Sequence, residues 1–259
     1  MMNELRICLI QADLAWENRN QNLAHLRQMA EQSPSTDIVF LPEMFASGFT
    51  MNAAACAETA DGDSVRWMKD LARGQNCAVT GSLIIAENGR YYNRLFWVEP
   101  DGKTLAYNKR HLFSLAGEEK VFTRGTENIL IEYKGWRIRP QICYDLRFPV
   151  WARNTDNYDL LYYVANWPER RVKHWQQLLI ARAIENQSYV VGVNRVGNDG
   201  NGIEHSGHSA VIDAMGERLT DIHHGQECVK SITLSKNALT EVRSRFSFLA
   251  DRDGFEIRE

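Results

Sequence analysis

The sequence predicts an α/β fold in which mixed sheets are covered by helices, and three observations carry the prediction. Apolar runs that read as buried strands alternate with amphipathic helical segments, and two strong turn signals place hairpins in the middle third. A chain of 259 residues is also long enough to bury a sizeable core as one unit. Residues 1–259 are therefore read as a single domain, with a C-terminal arm from about residue 236 and no repeat, low-complexity tract or linker.

Arg6 to Ala12 reads as a buried strand, and Asn18 to Glu31 carries Leu23, Leu26 and Met29 at helical spacing. The run from Asp37 to Glu43 follows as a second strand, a βαβ-like start in which Leu41-Pro42 keeps the backbone extended just before the carboxylate. Ser47 to Asn52 is loop-like. Asp63 to Arg73 reads as a helix capped by Asp63 or Ser64 and stopped by Gly74. Cys77–Ile85 and Arg90–Val98 flank the hairpin signal Glu87-Asn-Gly89, and Pro100-Asp-Gly-Lys103 turns the chain into the segment that presents Lys109. Ser114 to Gly125 is polar and punctuated by glycine, so it is placed outside the core. Arg137 to Ile142 is an extended run that delivers Cys143 to a turn, and the turn opens a helix.

Asp159 to Val164 is a strand ending at Asn166-Trp-Pro168, and Arg171 to Gln187 is a helix with Trp175, Leu178, Leu179, Arg182 and Ile184 along it. Ser188–Val193 reads as strand, Asn194–His208 as a Gly- and Asn-rich loop, and Ala210–Thr220 as a strand with a turn at 214–217. Glu227–Leu234 closes the strands. The tail mixes Phe246, Phe248 and Leu249 with charges, and reads as an arm packed on this subunit or another.

Net charge is -3 with no long single-sign run, which leaves no electrostatic case for nucleic acid or a membrane surface. No apolar stretch has membrane-spanning length and no leader pattern opens the chain, so a cytoplasmic location and a small-molecule ligand are expected. Five scattered cysteines without a CxxC argue against a disulfide framework or structural zinc. His205-Ser-Gly-His208 and His223-His224 lie in turn-like stretches without ligand partners at metal spacing, and the loop from Asn194 has no P-loop lysine. No metal or cofactor is expected.

Cys143 is the nucleophile candidate. A thiol at a strand end, facing the start of a helix, lies where backbone amides and a partial positive charge favour thiolate and could hold an oxyanion. A cysteine taken alone is more often a small buried hydrophobe. Here Glu43 and Lys109 are presented at element ends in the same manner.

These three stretches carry a resemblance. LPEMFxxGF, YNKRHLF and ICYDLRFP are similar to the Glu, Lys and Cys motifs of the nitrilase superfamily of carbon-nitrogen hydrolases. NWP, HWxxLxxARAIENQxYVVGxNRxG and the terminal FxFLADRD are most similar to its omega-amidase branch. The resemblance implies a four-layer αββα sandwich, with catalytic residues at one end of the sheets and subunits paired as a homodimer through a helical layer and the arm. It also implies a second glutamate upstream of Gly125; Glu118 matches by spacing, with Glu119 as the neighbouring register.

Opening an amide needs a nucleophile, a proton carrier for departing ammonia, and positive charge beside the carbonyl oxygen. Cys143, Glu43 and Lys109 supply these in turn, with the Tyr144 amide as second oxyanion donor and Glu118 in support. The omega-amidase resemblance implies a short dicarboxylic acid monoamide such as 2-oxoglutaramate. Such a substrate calls for a further cation: Arg147 is nearest in sequence, Arg171 and Arg195 follow later, and Trp167 and Phe45 could wall the carbon chain. Arg147 could equally form a structural ion pair with Asp145 or another carboxylate. An N-carbamoyl amino acid or other small aliphatic amide hydrolase with the same three groups, a Cys-His hydrolase using His111, and a catalytically silent binding or assembly protein remain the alternatives.

Overall fold

The computed structural model describes residues 3–33, 35–220 and 222–258. The first half runs β1 (Glu4–Gln11), α1 (Arg19–Ala30), β2 (Ile38–Phe40), the short α2 (Ala53–Cys56), α3 (Asp63–Gln75), β3 (Ala78–Glu87), β4 (Arg90–Val98) and β5 (Thr104–Asn108). The second half runs β6 (Ile131–Tyr133), β7 (Trp136–Ile142), the four-residue α4 (Pro149–Ala152), β8 (Leu160–Ala165), α5 (Val172–Asn186) and β9 (Tyr189–Asn194). It continues with β10 (Val196–Asn198), β11 (Glu204–Ser206), β12 (Ala210–Ile212), β13 (Cys228–Ser235) and α6 (Lys236–Arg245).

Among the described residues two large sheets form, ordered β13-β1-β2-β3-β4-β5 and β12-β9-β8-β7-β6, beside a two-stranded sheet of β10 and β11. Three hydrophobic clusters show how they stack. Leu5, Ile7, Leu9 and Phe40 of the first sheet pack against Ile138, Tyr162, Val164 and Val191 of the second. Cys8, Ile10 and Val39, from the opposite face of the first sheet, pack on Leu26, Met68 and Leu71 of α1 and α3. Leu161, Tyr163 and Val190 of the second sheet pack on Trp175, Leu179 and Ala183 of α5. Strand alternation thus sends successive side chains into different layers, which is why these strands are apolar throughout. The order is helix, sheet, sheet, helix, the αββα sandwich.

Within the first sheet β1, β2 and β3 are parallel. β4 and β5 each reverse direction, so β5 again points the same way. In the second sheet β7, β8 and β9 are parallel. Parallel strands bring their carboxyl ends to one edge, where functional residues of open α/β sheets gather.

Several expectations are corrected in detail. The helix expected to stop at Gly74 runs on to Gln75 and ends on Asn76 in the left-handed conformation, and its N-cap is Gly62. Ser64 instead donates its amide to Glu58 Oε2. Ile184 is 50% exposed, because it lies on the face of α5 turned away from the sheet. The 194–208 loop contains the β10–β11 hairpin. The stretch 114–125 forms two 3-10 turns whose Glu118 is fully buried. The element opened by Cys143 is a five-residue 3-10 turn followed by the single turn of α4, too short for a helix macrodipole to act on the thiol. All five cysteines are free, and none of the described helices is long and apolar enough to cross a membrane.

Candidate active site

Strand direction assembles the site. Glu43 follows β2 by three residues, while Lys109, Cys143 and Asn166 immediately follow β5, β7 and β8. Cys143 is in the left-handed region at φ 42°, as is Met44 at φ 45°, next to Glu43. Such a backbone costs on the order of 1–3 kcal/mol at a residue with a Cβ, and persists only where its surroundings over-determine it. For Cys143 that determinant is Asp145, whose buried carboxylate accepts from the Ile142 amide at 3.0 Å and the Tyr107 hydroxyl at 2.7 Å.

Lys109 is 1% exposed, and its Nζ lies 2.9 Å from Glu43 Oε1, with Glu118 Oε1 and Oε2 at 3.0 and 2.9 Å. Burial works against its ammonium, but Glu118, Glu43 and Cys143 together outweigh this and raise its pKa, so the lysine stays charged. Burial also raises the Glu118 pKa, with Lys109 opposing and Glu43 reinforcing the rise. Glu118 further accepts from the Phe113 amide at 2.5 Å, which fixes the loop beside the site. Glu119 is exposed, and Glu118 is the one of the two glutamates that meets Lys109.

The thiol differs from the sequence expectation. Burial is the largest influence on Cys143 and raises its pKa; Glu43 and Glu118 add to the rise and Lys109 opposes it, for a net value well above the usual 9.0. The resting group is a thiol in contact with a carboxylate, so attack requires transfer of its proton.

Two residues missed in the sequence complete this cluster. Asn93, buried on β4, donates from Nδ2 to Glu43 Oε1 at 2.8 Å and to Glu118 Oε1 at 3.3 Å. Asn166 donates its amide to Glu43 Oε2 at 2.8 Å and its side chain to the Glu43 carbonyl at 2.6 Å. The available signal was a lone amide in a strand otherwise bound for the core, and, for Asn166, a place at a strand end like that of the thiol.

Cys143 and Lys109 open onto a cavity of about 600 Å³ lined by Tyr144, Arg147, Trp167, Arg171, Phe49 and Phe113, among others. Of the residues read from the sequence as substrate contacts, Tyr144, Trp167 and Arg147 line this cavity. Phe45 does not: it is fully buried in the outer core, with its ring 5.8 Å from that of Trp67, and Phe49 takes its place in the wall. Arg195 is also removed as a candidate, because its guanidinium is buried against Asp13 at 2.6 Å. The alternative for Arg147, an ion pair with Asp145 or another carboxylate, is absent among the described residues: Asp145 is engaged by Tyr107 and His111, and Arg147 lies 4.7 Å over the Trp167 ring. His111 stacks on Phe148 at 3.6 Å and binds Asp145, a packing role. Among the described residues no group of three or more His, Cys, Asp or Glu side chains is placed to hold a metal ion.

A carbon-nitrogen hydrolase family model matches residues 6–244. The chain belongs to the carbon-nitrogen hydrolase family. It is 44% identical over 256 residues to the omega-amidase YafV of Yersinia enterocolitica, covering 98% of this chain and 99% of that one. It is 32% identical to the 2-oxoglutaramate amidase of Bacillus subtilis, over 95% of this chain and 96% of that one. Among solved structures, XC1258 from Xanthomonas campestris, a CN-hydrolase superfamily protein carrying an arsenic adduct in its active site, superposes with TM-score 0.97 at 42% identity. That match covers 99% of this chain and 100% of that one. Nit3 of Saccharomyces cerevisiae, a nitrilase-superfamily member, shares the fold with TM-score 0.85 at 22% identity, over 95% of each chain.

Proposed function

We propose that this hydrolase is an omega-amidase, cleaving the terminal amide of short dicarboxylic acid monoamides such as 2-oxoglutaramate to the dicarboxylate and ammonia. The observation that carries the reading is the left-handed Cys143 on the cavity wall, with Glu43 and charged Lys109 converging beside it. Relatives named for omega-amidase and 2-oxoglutaramate amidase activity, matched along nearly the full chain, support the substrate class.

In this mechanism Glu43 accepts the Cys143 proton as sulfur attacks the amide carbon. The carbonyl electron pair moves to oxygen, where Lys109 and the Tyr144 amide stabilise the negative charge. That amide belongs to the first turn of the 3-10 element that begins at Cys143, where N–H groups find no acceptor within the element. Collapse breaks the C–N bond, Glu43 returns the proton to the departing ammonia, and a thioester remains. Glu43 then takes a proton from water, hydroxide opens the thioester, and the thiolate recovers its proton. Glu118 and Asn93 hold Lys109 and Glu43 in place throughout.

The test is ammonia release from 2-oxoglutaramate, succinamate, glutamine, aliphatic amides, nitriles and N-carbamoyl amino acids. The reading expects the dicarboxylate monoamides to have the highest kcat/KM. N-carbamoyl compounds or nitriles ahead of them would overturn it. The proposal extends to residues 1–259 acting as one cytoplasmic domain, supported by five free cysteines, and to a homodimer, supported by the apolar side chains exposed along the arm.

A further inference from the structure

Three arginines gather at the same wall of the cavity: Arg147, Arg170 and Arg171 all line it, and among the described residues none of them makes an ion pair with a carboxylate. Arg147 and Arg171 are half-buried and Arg170 is exposed, whereas the buried Arg195 and Arg182 are matched by Asp13 and Glu185. Like charges crowd here at an electrostatic cost that an anionic ligand would relieve.

Arg171 is held more firmly than a surface arginine. Its amide donates to the Pro168 carbonyl at 3.0 Å, and its own carbonyl accepts from Trp167 Nε1 at 2.8 Å. Its guanidinium lies 5.1 Å over the Phe113 ring. The same Trp167 indole carries Arg147 on its face at 4.7 Å. One tryptophan therefore organises both arginines, through its N–H for one and its π-face for the other. Phe113 packs edge-on against Tyr144 at 5.0 Å, which ties Arg171 to the turn that presents Cys143. Burial, followed by the charge of Arg170, lowers the Arg171 pKa, while Cys143 is close enough to act on it in the opposite sense.

We infer that Arg171 is a specificity-determining residue, forming with Arg147 a Trp167-organised guanidinium clamp for the anionic end of the substrate. The inference rests on the amidase reading above and deepens it. A planar fork reads carboxylate oxygens in pairs, and stacking on an aromatic ring fixes the plane of the fork before the ligand arrives.

Succinamate and butyramide test this, because they have the same chain length and differ in a carboxylate against a methyl group. Wild-type protein and the Arg171→Gln and Arg171→Lys variants are compared by kcat/KM for both amides. In Arg171→Gln the succinamate-to-butyramide ratio should fall at least tenfold, mainly through KM for succinamate. Arg171→Lys, which keeps the charge without the fork, should recover part of it. An unchanged ratio in either variant, or an equal loss on both amides, overturns the inference. Wild-type protein that hydrolyses neither amide overturns the amidase reading itself, a separate outcome. Should Arg171→Gln fail to fold, the lysine variant still decides, through a ratio below that of the wild type.

Discussion

Asp145 Oδ1 accepts hydrogen bonds from both the backbone amide and the ring Nδ1 of His111, at 2.9 and 2.8 Å. Its other oxygen accepts from Tyr107, so one carboxylate grips the residues two before and two after Lys109 while also holding the amide that precedes Cys143. The lysine and the thiol are thereby set relative to each other by a group that does not line the cavity. Asp145→Asn should lower stability by on the order of 3 kcal/mol, since several bonds to a buried charged acceptor are weakened together. It should also reduce kcat while leaving KM little changed. Urea unfolding and steady-state kinetics check both; normal kcat in a destabilised protein would confine Asp145 to folding.

Lys109→Ala leaves Glu43 and Glu118 buried with no cation between them. Breaking such a pair from one side costs about 3–5 kcal/mol of stability, and loss of an oxyanion donor costs about 10²–10³ in rate. Both losses are expected in the same variant. Borohydride treatment during turnover of a keto-acid amide should leave Lys109 unmodified, and a reduced adduct there would point to Schiff-base chemistry instead.

Glu43→Gln separates thiol reactivity from catalysis. Glu43 is a principal charge raising the thiol pKa, after burial, so its removal should increase alkylation of Cys143 by iodoacetamide at neutral pH. Ammonia release should nonetheless collapse for want of a proton carrier. Slower alkylation in the variant would mean that Glu43 activates the thiol in the resting enzyme.

Stability should decline in alkaline solution. The pKa of Cys77 is pushed up to about 12 from an ordinary 9.0, mainly by burial, and that of Cys143 is also raised. Groups with raised folded-state values stabilise the protein fully below their unfolded values and lose that contribution as pH climbs to the folded ones. The unfolded chain then binds fewer protons than the native state, so unfolding free energy falls with pH from about 9 upward. Denaturant titrations at pH 7, 9 and 10 should show the fall, and a flat profile would contradict the burial of these thiols.

Mixed sheets covered by helices, and the three principal groups, were legible in the sequence because each rests on a local pattern of apolar strand, turn and polar residue at the strand end, whereas the four-layer order came from the resemblance alone. What stayed hidden depends on contacts distant in sequence. Glu118 was named only through the resemblance, since nothing near it in sequence announces that it folds inward to Lys109, and nothing near Asn93 places it between two glutamates. Phe45 and Phe49 are both aromatic residues after Glu43, and only the packing of Trp67 decides which faces the core. Local reasoning also favoured a thiolate, whereas burial and two carboxylates from other strands reverse the sign.

The arm divides similarly. α6 belongs to this subunit, with Leu239 buried and Arg243 bonded to Asp159 at 3.1 Å, whereas Phe248 and Phe255 beyond it are 63% and 42% exposed. A chain ending at Ser247 should therefore keep its thermal stability yet lose the proposed dimer. Light scattering reads this, and a full-length monomer at micromolar concentration would remove the arm's assembly role.

A thioester on Cys143 is tested by peptide mapping of protein quenched in acid during 2-oxoglutaramate turnover. An acyl adduct is expected on the peptide containing Cys143, and none in Cys143→Ala, which should release no ammonia. An adduct confined to another residue, or turnover that survives in Cys143→Ala, would contradict it.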